Sequence, residues 1–529
     1  MSSTDCNPEL VLECVDQQTP RLTTERSTYG QILKSLALVG GSSVLNIAIG
    51  VVRAKAMAVL LGPSGFGLFG LYGSIVNLGE SIAGFGINSS GVRQIAEATG
   101  SNDEERIART AIVLRRVALI LGLLGAAGLI LLSGPISNLT FGNYRHTTAL
   151  WVLSAAVFFR LISIGQGALI QGLRRVADLA KMNVFGALFG TALTILLVYV
   201  FRERGVVPSL VAVAGMSLVT SWWYSRRVQI KQVSMTTTQV RQEATVLLKL
   251  GFAFMASSFM VMASAYVIRM SVFHRLGLEA TGYYQSAWTL GGFYVSLILQ
   301  AMGADFYPRL TAAATNNIEC NRIVNEQTLI SLLLAGPGVI LTLTLAPVVI
   351  AVFYAAEFGA AVGVLRWICL GATLQVITFP IGFIVLAKGA QAYFFWTELA
   401  WTAVHIGLAR LCLEWFGLNG AGIGFFGSYV FHALVIYPVV RHLSGFRWSA
   451  TNIKIGMLYL LTIAVVFSAL QFLPFYLAVL IGGAAAILSC GYSVRVLFTV
   501  ISPDHLPSVV RRLLASIIPV RFTATRSGH

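Results

Sequence analysis

Ser42-Ser43, Arg53, Leu61-Gly62 and Gly67-Leu68-Phe69 follow one another along one stretch of this chain. The same series returns 215 residues later as Ser257-Ser258, Arg269, Leu276-Gly277 and Gly282-Tyr283-Tyr284. The serines and glycines keep a constant offset, and the arginines match it within one residue. Arg93 and Arg309 close the two series in the same way. Both series run through apolar segments long enough to cross a bilayer, which takes about 20 residues. The pattern therefore reads as an internal duplication of membrane-spanning helices. Such duplications build two bundles around a central path, with the substrate site where the repeats meet.

Composition supports a polytopic membrane protein. The chain is 56% hydrophobic and 11% charged, against about 25% charged in a soluble domain. Fourteen apolar runs can be counted, the first at 31–59, the eleventh at 391–416 and the last pair at 454–472 and 475–499. The expected fold is all-α, with about 14 transmembrane helices. A polar cytosolic tail at 1–28 precedes an N-lobe at 29–245 (helices 1–6) and a C-lobe at 246–441 (helices 7–12). The lobes are expected to be pseudo-symmetric six-helix bundles. An extra helix pair and a basic cytosolic tail occupy 442–529. Residues 1–28 contain no apolar stretch suited to a cleavable signal, so the first span is expected to stay in place.

The formal charge of +16 would suggest nucleic acid in a soluble protein. Here most Lys and Arg fall in alternate connections, as the positive-inside bias requires, so no nucleic-acid partner is expected. Both termini are then expected in the cytosol. Six cysteines lie scattered without CxxC or CxxH spacing, so neither disulfides nor a metal site are expected. No GxxxxGK[ST] or HExxH occurs, and the short loops leave no room for a separate catalytic domain. The chain reads as a non-enzyme without a cofactor.

The chemistry rests on charges inside the spans, which are costly and usually functional. The cationic set is Arg53, Lys55, Arg160, Arg269, Arg366 and Arg410. Arg53 and Arg269 hold equivalent repeat positions, so pseudo-symmetry would turn both toward one axial cavity. Guanidinium groups suit phosphate or pyrophosphate, because they offer paired donors to its oxygens. Lys55, Arg366 and Arg410 can instead snorkel to outer headgroups. Glu80 and Glu398 are the carboxylates well inside spans. Either could couple transport to an ion, or form an internal ion pair. His405 and His432 read as packing residues.

Several local motifs carry a resemblance. Leu61-Gly62-Pro63-Ser64-Gly65-Phe66-Gly67-Leu68-Phe69 resembles the first outer turn of the polysaccharide and O-antigen flippases. Phe306-Tyr307-Pro308-Arg309-Leu310 is similar to the end of their eighth span. Ala387-Lys388-Gly389 with Phe395 and Glu398 resembles their turn into the eleventh, and Gly417-Leu418-Asn419-Gly420-Ala421 the next outer turn. The resemblance covers about residues 30–445. It places the chain in the multidrug, oligosaccharidyl-lipid and polysaccharide exporter superfamily. It implies a lipid-linked oligosaccharide on undecaprenyl pyrophosphate, flipped from the inner to the outer leaflet of the bacterial cytoplasmic membrane without nucleotide hydrolysis. The product would feed O-antigen, exopolysaccharide or other surface-polysaccharide assembly. Membrane lipids and a polysaccharide polymerase are the further candidate partners. Two other readings remain open from the sequence: a cation-coupled multidrug exporter, which would want acidic residues in its cavity, and a non-transporting scaffold of a polysaccharide assembly complex, in which embedded charges would pair off.

Overall fold

The computed structural model describes residues 19–100, 103–229, 233–301 and 306–500. Among these the chain is helical and contains no strand. That follows from the apolar sequence, because within a bilayer a helix satisfies every backbone donor and acceptor locally. In chain order the helices are α1 (Thr19–Ala83), α2 (Ile87–Gly100), α3 (Glu104–Leu131), α4 (Ser133–Phe141), α5 (Thr147–Gly172), α6 (Val176–Phe201), α7 (Val206–Ser225) and α8 (Thr237–Ala301). Then follow α9 (Tyr307–Ala312), α10 (Asn317–Thr344), α11 (Ala346–Phe353), α12 (Ala361–Ala387), α13 (Gln391–Phe416), α14 (Asn419–Ser444), α15 (Ala450–Phe472) and α16 (Phe475–Val500). The helix α1 begins inside the stretch expected to be a polar tail; residues 1–18 and the basic segment 501–529 lie outside the described residues.

Ten helical stretches among the described residues are long and apolar enough to cross a membrane. Three are too long for one passage: Gly41–Ala83 has 43 residues, Val176–Ser225 has 50 and Met255–Gly292 has 38. At about 1.5 Å per residue each exceeds a hydrocarbon core of about 30 Å. Each also contains a break. The middle one turns through a short 3₁₀ segment at Arg202–Gly205. The other two break at Gly62 (φ 65°, ψ −173°) and Gly277 (φ 86°, ψ −177°). These φ values favour glycine, which lacks the Cβ that would clash. The same backbone state at equivalent repeat positions is the duplication made visible. One expected span differs: α13 forms as a helix but is not among the ten, because Glu398, His405, Arg410 and Glu414 make it too polar.

The chain forms two compact units. The first draws on Met1–Leu290, Ile350–Val364 and Phe395–Ser428, and the second on Gly291–Val349, Leu365–Phe394 and Tyr429–His529. Leu71, Tyr72, Leu150, Val157 and Leu161 sit at the centre of the first, with Tyr266 and Met270 from α8. Phe306, Leu310, Ile384 and Phe446 lie at the centre of the second.

Within the first unit, the two glycine-break segments cross each other through equivalent residues. A Cβ on Gly67 would collide with the carbonyl oxygen of Leu278, and one on Gly282 with that of Pro63. Pro63 and Leu278 are themselves repeat equivalents, as are Gly67 and Gly282. Reciprocal contact of this kind is the mark of a local two-fold relation. Phe66, buried to 2% exposure, fills the space beside the crossing. Its ring lies 5.4 Å from Tyr354 and 5.8 Å from Phe358.

In the second unit α15 and α16 pack on α10 and on each other. Ser493 donates to the Leu333 carbonyl at 2.7 Å, and the Tyr459 hydroxyl to the Ser489 carbonyl at 3.2 Å. The Tyr459 ring lies against Gly336, where any Cβ would collide with it. Near the start of α15, the Asn452 amide donates to the Asn325 side chain and carbonyl, both at 2.9 Å. These bonds hold the pair where hydrophobicity alone gives no drive, since lipid is as apolar as the helices. Gly336→Leu is therefore expected to detach the pair locally and lower the unfolding midpoint of the purified protein by several degrees. Overpacking of this kind costs about 1–3 kcal/mol. Gly456→Leu, on α15 where a Cβ meets nothing, is expected to leave the midpoint unchanged.

Candidate functional site

The cations singled out in the sequence divide sharply by their partners. Arg160, on α5, forms an ion pair with Glu80 on α1, Nε to Oε2 at 2.9 Å. Its Nη1 also donates to the Asn77 side chain at 2.6 Å. Asn77 and Glu80 stand three residues apart, on one face of α1, so both reach the same guanidinium. The charge of Arg160 is thereby compensated.

Arg269, on α8, is 8% exposed. Its Nε donates to Gln285 Oε1 at 2.6 Å and its Nη1 to the Ala265 carbonyl at 2.9 Å. Both acceptors are neutral. No carboxylate pairs with Arg269 among the described residues, so the guanidinium is held in place but keeps its charge. Gln285 in turn donates to Thr289 Oγ1 at 3.2 Å, which orients the amide with its oxygen toward the arginine.

Arg53 lies in α1 before the break at Gly62, close enough to Arg160 for the two charges to repel. It makes no hydrogen bond or ion pair among the described residues. Glu80, Arg160 and Arg53 together therefore carry one excess positive charge beside Arg269's own. All four belong to the first compact unit.

The remaining cations stand apart. Lys55 is exposed and donates to the Val352 carbonyl. Arg410 is exposed and donates to Ser271 Oγ at 3.3 Å. Arg366 belongs to the second unit, with its Nε buried and without a hydrogen-bond partner among the described residues. The two carboxylates also differ. Glu80 is engaged by Arg160, whereas Glu398 on α13 is half-buried and has no ion-pair partner among the described residues. His405, whose two ring nitrogens find no hydrogen-bond partner among the described residues, packs against Trp288, Trp401 and Phe425. No cluster of metal-binding side chains occurs among the described residues.

Sequence reasoning missed Asn77 and Gln285, because it weighed only the charged groups inside the spans, and a lone amide in an apolar run does not reveal which side chain it meets. The duplication held a clue to the second. At offset 215 the position of Gln285 is occupied in the first repeat by Gly70.

Comparison with known proteins bears on the family. The sequence pattern of the polysaccharide biosynthesis protein family matches residues 56–363. The Lipid III flippases of Escherichia coli (strain K12) and Shigella flexneri are each 20% identical over 411 residues, which is 75% of this chain and 95% of theirs. Among solved structures, the Lipid II flippase MurJ in an inward closed conformation aligns with TM-score 0.64 at 14% identity, over 87% of this chain and 99% of that one. An inward-facing multidrug resistance MATE family transporter of the MOP superfamily aligns with TM-score 0.60 at 18% identity, over 76% and 95%. These proteins move molecules rather than transform them. A family pattern spanning more than half the chain, on a fold shared with these transporters, shows that the chain belongs to the polysaccharide biosynthesis protein family of multi-pass membrane proteins.

Proposed function

We propose that the chain is a flippase that carries an undecaprenyl-pyrophosphate-linked oligosaccharide from the inner to the outer leaflet of the bacterial cytoplasmic membrane by alternating access. The observation that carries this reading is the pair of uncompensated guanidinium groups, Arg53 and Arg269, at equivalent repeat positions in one compact unit. A buried charge without a counter-ion is expensive to keep in a membrane protein. It is rational where an anionic ligand completes the site. Arg160 joins them as a charge held in reserve by Glu80, and Lys55, Arg366 and Arg410 serve as outlying cations along the headgroup's route. The likeness to Lipid III flippases supports a lipid-linked substrate. The architecture that goes with this function has 14 spans, two six-helix lobes at 29–245 and 246–441, and an accessory pair beyond 442. Both termini face the cytosol, and a polysaccharide polymerase receives the product.

The multidrug-exporter reading is weaker, because the uncompensated charges in the first unit are mainly cationic. A scaffold is weaker still, because its charges would be paired. The decisive experiment reconstitutes the full chain in proteoliposomes with a fluorescent undecaprenyl-pyrophosphate oligosaccharide in one leaflet and follows its loss to quencher added on the other side. Protein-dependent flipping is expected. Translocation of organic cations without flipping of the lipid would overturn the proposal.

Glu398 is the stronger ion-coupling candidate, since Glu80 already serves Arg160. Glu398→Gln is expected to slow flipping and flatten its dependence on an imposed proton or sodium gradient. Glu80→Gln is expected to lower activity at every gradient alike, because it releases Arg160. Full gradient dependence in Glu398→Gln would assign coupling elsewhere.

A further inference from the structure

Where the two repeat-equivalent helices cross, Gly67 lies against Leu278, Gly282 lies against Pro63, and Gly70 faces its own equivalent, Gln285. The first two contacts are reciprocal, because each glycine meets the carbonyl of the other glycine's neighbouring turn. At the third the symmetry is broken. A Cβ on Gly70 would stand 2.9 Å from Gln285 Oε1 and 3.0 Å from its Cγ, so only the absence of a side chain at 70 leaves room for the glutamine. The glutamine uses that room to reach Arg269, at 2.6 Å. In the first repeat the matching place is Gly70, which has no side-chain amide, and Arg53 has no hydrogen-bond partner among the described residues.

We infer that Gln285 is a positioning residue: a neutral clamp, seated against Gly70, that orients Arg269 for an anionic headgroup without cancelling its charge. This rests on the anion-binding reading above. An amide at this position is chemically specific. A carboxylate of the same size would accept the same hydrogen bond but would neutralise Arg269, as Glu80 does for Arg160. An apolar side chain would leave the guanidinium free to swing. With Nε given to Gln285 and one Nη1 hydrogen to Ala265, both Nη2 hydrogens and the other Nη1 hydrogen remain without a protein acceptor among the described residues. Those are the donors a phosphate would take.

The test uses the full chain in nanodiscs, titrated with undecaprenyl pyrophosphate, with unfolding midpoints measured on the same preparations. Gln285→Glu is expected to weaken binding tenfold or more while the midpoint holds or rises, because the new carboxylate pairs with Arg269. Gln285→Met is expected to weaken binding several-fold and lower the midpoint. Gly70→Ala, which pushes the amide away, is expected to weaken binding several-fold. A merely structural glutamine predicts the opposite signature, with midpoints falling and affinity constant. If Arg269→Ala weakens binding but Gln285→Glu binds within twofold of the native chain, the clamp is overturned and the anion site stands. Should Gln285→Glu not be recoverable, native affinity in Gln285→Met overturns it equally. If neither Arg53→Ala nor Arg269→Ala weakens binding, the anion-site reading itself falls, and the clamp with it.

Discussion

Replacing Arg53 and Arg269 together by alanine is expected to abolish flipping while the protein still inserts and accumulates normally. Each arginine offers charge-assisted hydrogen bonds worth about 1.5–3 kcal/mol to a phosphate. Losing one should weaken headgroup binding about ten- to a hundredfold, since about 1.4 kcal/mol is a factor of ten. The single variants separate by their internal partners. Arg53→Ala removes a side chain that no described residue holds, so its fold should be untouched and its loss purely functional. Arg269→Ala also frees Gln285 and the Ala265 carbonyl, so a small loss of stability should accompany the loss of binding. Arg→Lys at either site keeps the charge but not the planar fork, and should restore activity only in part. Arg160→Ala differs in kind. It strands Glu80, and the expected result is a drop in membrane level before any defect in transport. The measurement is flipping per molecule at matched protein levels. Near-native activity of the double variant would sink the headgroup site.

The second large effect is expected at the helix crossing. Gly67→Val or Gly282→Val places atoms against backbone carbonyls, which cannot turn aside as a side chain can. The crossing should be forced apart at a cost of about 3 kcal/mol, near the top of the range for overpacking. About 3 kcal/mol shifts a two-state population more than a hundredfold. If the crossing closes one side of an alternating-access path, these variants hold that side open and stop turnover. A single cysteine at Phe69, in a background lacking the native cysteines, reports the change through its labelling rate with an impermeant maleimide. Faster labelling with lost transport is the expected pair of results. Gly73→Val is the control, since a Cβ there meets nothing within 4 Å. Unchanged labelling in Gly67→Val would mean that this contact does not gate the path. The buried cluster of Phe66, Tyr354 and Phe358 should part along with the crossing, because Phe66 is adjacent to Gly67.

The sequence by itself determined the helical membrane character, the duplicated series and the family. Each of these is written in local composition or in short motifs at fixed spacing. Hydropathy is a property of consecutive residues, so the long apolar helices could be read before any packing was known. Leu61-Gly62 and Leu276-Gly277 stood out as recurring motifs, whereas the break at each glycine is read from its backbone angles. Which embedded charges are spent and which are free was decided only by the tertiary structure. Arg160 and Asn77 are 83 residues apart and meet across two helices. Arg269 and Gln285 are 16 residues apart on either side of the break at Gly277. Spacing that agrees within one residue in the two repeats suggested equal roles for Arg53 and Arg269. The structure makes them unequal, because a glycine in one repeat faces a glutamine in the other, and only one of those can hold a guanidinium. Charge compensation depends on distance through space, which a linear sequence does not record.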